Sequence, residues 1–245
     1  MTPSMPSVFE LNPVVPTAPS KANDHIQELA ASTRRQFFGR GAAATAAAAG
    51  AVTVLGSGSN ASAAVPSLYP GSSRAYFQQI QSDESTHVNI IIGAIRSLGG
   101  TPRPFPTFTG ITNLTPTQFI QTAAAFENTG VGAYYGAAAY IQNPAVLAVA
   151  ASIATVEARH SGFINTVNGI PLIPNVLPYA VALTIPQVTA AASPFITSLN
   201  DNGQFPATFS TTPSAANDIA ILNFALLLEF LEASFYFYNV NRVTA

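Results

Sequence analysis

Apolar residues recur every three or four positions over four long stretches of this chain, the period of a helix with one buried face. The first stretch places Phe77, Ile80, Ile91 and Ile95 on one face. It starts at Ser72 or Ser73, either of which can cap it, and stops at Gly99-Gly100. The second opens at Thr115-Pro116-Thr117-Gln118, a capping box with proline in the first turn. Its stripe is Ile120, Ala124, Val131, Tyr134, Ala138 and Ile141, with Gly130, Gly132 and Gly136 inside it. Those glycines weaken the helix but let a neighbour or a ligand come close. A third helix restarts at Asn143-Pro144, carries Val146, Ala150, Ile153, Ile164 and Val167, and should end before Gly169. The fourth, capped by Ser214 or Asn217, runs through Leu222, Leu226, Ala233 and Tyr236 to about Asn239. Residues 101–114 hold three prolines and read as an extended crossover. Residues 170–213 hold seven, and read as loop with one short helix from Pro186 to about Leu199. The expected fold is all-α: a four-helix bundle with a long crossover and a Pro-rich connection carrying a short extra helix.

Polar residues interrupt these stripes in a regular way. Glu84 and His87 lie on the apolar face of the first helix, and Glu157 and His160 on that of the third. Each pair is a Glu-x-x-His, whose spacing stacks carboxylate and imidazole one turn apart. Glu127 lies on the stripe of the second helix, with Tyr134 seven residues on. Glu229 lies on that of the fourth, with Tyr236 seven residues on. Two similar helix pairs thus suggest a pseudo-two-fold bundle. The repeat favours Glu229 over Glu232 as the inward carboxylate, because Glu232 corresponds to Gly130. Tyr134 and Tyr236 are expected to donate hydrogen bonds or to pack, and Arg159 to point outward.

Composition sharpens this reading. Charged residues are only 8% of the 245, hydrophobic ones 48%, and there is no cysteine. Disulfides and thiolate metal sites are therefore excluded. Beyond position 63 the only glutamates are Glu84, Glu127, Glu157, Glu229 and Glu232, and the only histidines His87 and His160. Four buried carboxylates without lysine or arginine on the stripes would cost several kcal/mol per ion. Two divalent cations would neutralise them. The expected ligands are Glu84, His87, Glu127, Glu157, His160 and Glu229, a carboxylate and imidazole set that suits iron or manganese, with zinc as an alternative. A net charge of -2 gives no reason to expect a nucleic-acid partner.

The N-terminal part reads differently. Thr33-Arg34-Arg35-Gln36-Phe37-Phe38 is a twin-arginine pattern, followed by an alanine-rich run from Gly41 to Gly56 and an Ala61-Ser62-Ala63 cleavage site. Residues 1–63 are thus expected to be a leader for the twin-arginine export machinery, and 64–245 the mature bundle domain. The mature protein is expected to be periplasmic or extracellular, without a membrane span, and a candidate homo-oligomer.

Several stretches resemble a known family. Phe126-Glu127-Asn128-Thr129-Gly130-Val131, Thr155-Val156-Glu157-Ala158-Arg159-His160, Asp218 to Ala225 and Leu228 to Ala233 are similar to ferritin-like domain proteins that include the plant desiccation-related proteins. The resemblance covers about 70–245. It implies a ferritin-like four-helix bundle with a dinuclear iron site, and the four-glutamate, two-histidine set is that of di-iron and di-manganese carboxylate bundles. In that family the segment like Ile221 to Tyr236 comes first, so this chain resembles a circular permutation. Three functions are expected to compete: a di-iron protein reacting with oxygen or peroxide, a di-manganese catalase-like enzyme, and a non-enzymatic stress or envelope protein.

Overall fold

A computed structural model describes residues 72–243 apart from 175 and 206. The arginine pair, the alanine run and the cleavage site lie outside the described residues. In order, the elements are α1 (Ser72–Ser97), β1 (Thr107–Phe108), α2 (Pro116–Ala138), α3 (Pro144–Val167), α4 (Ile185–Ala192), β2 (Ile196–Ser198) and α5 (Ala215–Val243). The fold is all-α, with one small antiparallel pairing of β1 with β2 among the described residues.

Local chemistry sets the helix ends. Gly99 takes a φ of 75° and lets the Gly100 amide return to the Ile95 carbonyl at 2.9 Å, closing α1. The Thr115 hydroxyl and the Gln118 side chain form the expected capping box on α2. Asn143 Oδ1 accepts from the Ala145 amide at 2.8 Å to open α3. Ser214 rather than Asn217 caps α5, its hydroxyl accepting from the Asn217 amide at 3.1 Å. Two boundaries differ from the sequence reading. The short helix stops at Ala192, well before Leu199: Pro194 follows in a single 3-10 turn, and the chain then extends into β2. α5 continues past Asn239 to Val243, where Arg242 reaches back to the Leu114 carbonyl.

The helices form two antiparallel pairs, α1 with α5 and α2 with α3. Gln78 near the start of α1 meets Asn241 near the end of α5, while Gly100 beyond α1 lies against Ile219 near the start of α5. The pairs meet through α1 with α3 and α2 with α5. α1 and α2 therefore run the same way, and the chain from 98 to 115 must travel the length of the bundle. It does so along α5. Asn223 accepts from the Arg103 amide at 2.7 Å and donates to the Thr101 carbonyl at 3.2 Å. Asn239 donates to the Ile111 carbonyl at 2.7 Å.

Two hydrophobic clusters fill the bundle. One is aromatic and centres on Phe77, Phe119, Phe126 and Phe235. The other is aliphatic, built from Ile91, Ile95, Ile153, Leu222 and Leu226 with Ala137 and Ala150. Polar residues occupy the layer between them. By length and apolar composition α5 could cross a bilayer, yet most of that stretch is buried inside the bundle.

Candidate metal centre

The middle layer gathers all six residues singled out from the sequence. Glu84, Glu127 and Glu157 are fully buried, and His87, His160 and Glu229 nearly so. α1 and α3 present their Glu-x-x-His pairs to each other in opposite directions. His87 Nδ1 thus lies 3.1 Å from Glu157 Oε1, and His160 Nδ1 lies 2.9 Å from Glu84 Oε1. α5 brings Glu229 Oε2 within 3.4 Å of His87 Nδ1, and α2 brings Glu127 Oε2 within 3.4 Å of His160 Nδ1. Two groups result, each with ligand atoms within 4.8 Å of one another. One is Glu84, His87, Glu157 and Glu229; the other is Glu84, Glu127, Glu157 and His160. Glu84 and Glu157 belong to both.

These atoms lack the partners that burial demands. Glu84 Oε1, Glu127 Oε2, both oxygens of Glu157, His160 Nδ1 and Glu229 Oε2 are shielded from solvent and make no well-formed hydrogen bond. Such a set fits divalent cations by count, charge and donor type. Without a cation, protons must hold the charge. Burial, and next the charge of Glu127, raises the Glu84 carboxyl to about 7. Burial, and next Glu84, pushes the Glu157 carboxyl well above its usual range. Burial alone would lower the imidazole of His160, but Glu127 and Glu84 outweigh it and raise it to about 11. His87 is likewise raised, by Glu157, Glu229 and Glu84 against the effect of burial.

The tyrosines cross over. Tyr134 on α2 donates to Glu229 on α5, and Tyr236 on α5 donates to Glu127 on α2. The seven-residue spacing thus joins the two halves rather than serving each helix alone. Glu232 is buried beside this layer but belongs to neither group. Gly130 occupies the corresponding place on α2, and a Cβ there would stand 2.9 Å from Glu157 Oε2. Gly136 serves packing instead, since a Cβ there would meet the Leu183 carbonyl oxygen at 1.9 Å.

Sequence reasoning missed Asp83. Its carboxylate lies 3.2 Å from His160 Nε2 and can accept that nitrogen's N–H, so that a cation displacing the second proton would meet Nδ1 on the side of the glutamates. Asp83 is next to Glu84 and half-exposed, so only its place opposite α3 reveals the role. A polar cleft of about 380 Å³ opens between α1 and α3, lined by Asp83, Thr86, Arg159 and the two histidines. Arg159 is exposed, as its position predicted.

This architecture and donor set define a ferritin-like helical bundle. The profile of the ferritin-like domain family matches residues 32–169, more than half of the chain, and the protein belongs to that family. The match ends before α5, so Glu229 enters the centre on geometry alone. No curated protein and no solved structure matches the chain.

Proposed function

We propose that this chain is an exported ferritin-like protein of the desiccation-related type. Its bundle holds two iron ions, which react with dioxygen or peroxide in stress protection. The observation that carries the reading is the set of unpartnered, buried oxygen and nitrogen atoms converging from α1, α2, α3 and α5. Glu84 and Glu157, common to both groups, would serve both ions. His87 with Glu229, and His160 with Glu127, would complete one ion each. Iron supplies electron transfer and a place for the oxidant to bind. With a cation bound, Asp83 would accept the Nε2 proton of His160 in a hydrogen bond and leave Nδ1 to the metal, and Tyr236 and Tyr134 anchor the two outer glutamates. The polar cleft gives water and peroxide a path to the histidine side.

Export rests on the twin-arginine pattern and the Ala-x-Ala-like site. The permuted order rests on the position of α5, which is last in sequence yet antiparallel to α1 and completes the centre. Elemental analysis and an optical spectrum of protein purified without chelator test the reading. Two iron ions per chain with a bridged di-iron spectrum are expected. Manganese would point to the catalase-like alternative, and well under one metal per chain would leave a structural envelope protein.

A further inference from the structure

The two ends of the bundle are packed differently. On one side of the carboxylate layer, aromatic rings close the space, with Phe119 stacked on Phe235 at 5.2 Å and Phe126 edge-on to Phe235. On the other side the facing positions include Gly130, Ala133, Ala137, Ala150 and Ala225, and small side chains leave a gap. That gap is an apolar cavity of about 30 Å³. Its walls run on α3 from Val146 to Glu157, a span of roughly 16 Å at about 1.5 Å per residue. Its inner end is Glu157, Glu229 and Glu232.

We infer that this cavity admits a dioxygen-sized apolar molecule to the carboxylate layer, by a way separate from the larger cleft. The inference deepens the proposed function and rests on it for the partner that the gas would meet. Two observations select the occupant. Apart from Phe224 and Tyr134, whose hydroxyl is held by Glu229, the wall above the carboxylates is aliphatic, and a void with so few polar partners stays dry and favours apolar guests. Its size is that of a few water-sized molecules at ~10–15 Å³ each, which suits a diatomic gas and is too small for an alkyl chain or an aromatic ring. The polar cleft, on the same measure, is more than ten times larger and carries Asp83 and Arg159. The centre thus has two approaches of unlike lining, an apolar one suited to a gas and a mixed one whose charged and polar groups suit water, peroxide and cations. Glu232 lines the inner end of the cavity beside Glu157 and Glu229, so a guest there would meet a carboxylate that belongs to neither group as well as two that do.

Xenon is the probe, because it reports the cavity without any reaction. Full-length, metal-loaded protein is pressurised with xenon in the crystal and followed in solution by xenon NMR. Xenon is expected between Ile153 and Leu222 in the wild type and absent in Ala150→Leu. Ala137→Val, a smaller filling, serves if the first variant melts early. In stopped flow, filling the cavity is expected to slow oxidation of the ferrous protein by dioxygen about tenfold, the equivalent of ~1.4 kcal/mol. The rate with hydrogen peroxide should stay the same. No xenon in the wild type overturns the inference, as does an equal fall of both rates or an unchanged dioxygen rate. Protein that takes up xenon at this place but holds no iron refutes the metal reading and upholds the cavity.

Discussion

Gly130 and Tyr236 show how single residues tune the centre. Gly130→Ala puts a methyl group 2.9 Å from Glu157 Oε2, so the shared carboxylate must shift. Metal affinity is expected to fall by roughly 10–100-fold, as for other changes that move a ligand's support, measured by competition with a chelator. Tyr236→Phe keeps the ring and deletes the donor to Glu127. The loaded protein should lose ~1.5–3 kcal/mol in thermal unfolding, the usual size for a hydrogen bond to a charged group. The six residues that converge on the middle layer were legible from sequence, five because helical spacing puts them on apolar faces and Glu229 because the repeat favoured it over Glu232. The crossing of the two tyrosines and the role of Asp83 were not, because the partners lie on other helices and nothing in the local pattern names them.

At the scale of elements, α5 was readable as a long apolar helix, and the repeat chose Glu229 within it. Its second task was hidden. Asn223, Asn239 and Arg242 hold the backbone of the crossover, and a side chain bonded to a distant loop carbonyl leaves no periodic trace. Asn239→Ala strands the Ile111 carbonyl and should cost ~1–3 kcal/mol. Hydrogen exchange should accelerate in residues 109–114 first, while α2 and α3 keep their protection. The small sheet escaped notice for a related reason. β1 and β2 pair across about ninety positions of sequence (Thr107 with Ser198), and each is too short for alternation to show.

At the scale of the whole molecule, the centre makes stability depend on pH and on metal together. The Glu84 pKa rises from 4.5 to about 7, so its contribution favours the fold below 4.5 and is lost as pH passes 7. His160, raised from 6.5 to about 11, acts in the same direction, complete below 6.5 and gone above 11. The metal-free protein should therefore melt lower at about pH 8 than at about pH 5, by on the order of 5 °C in calorimetry. Bound cations replace those protons, so the loaded protein should lose stability as pH falls. A metal-free protein that gained stability over this range would show that the carboxylates do not share one buried layer.

The late place of α5 in the chain has a consequence for biosynthesis. Translation delivers α1, α2 and α3 before the helix that supplies Glu229 and carries the crossover. A nascent chain therefore cannot close the centre until α5 has emerged, and any metal held by all four helices would be bound only after that point. On the proposed twin-arginine route the folded protein would leave the cytoplasm with any metal already inside. That metal would then be decided by the supply on the inner side of the membrane, and not by that of the compartment where the protein works.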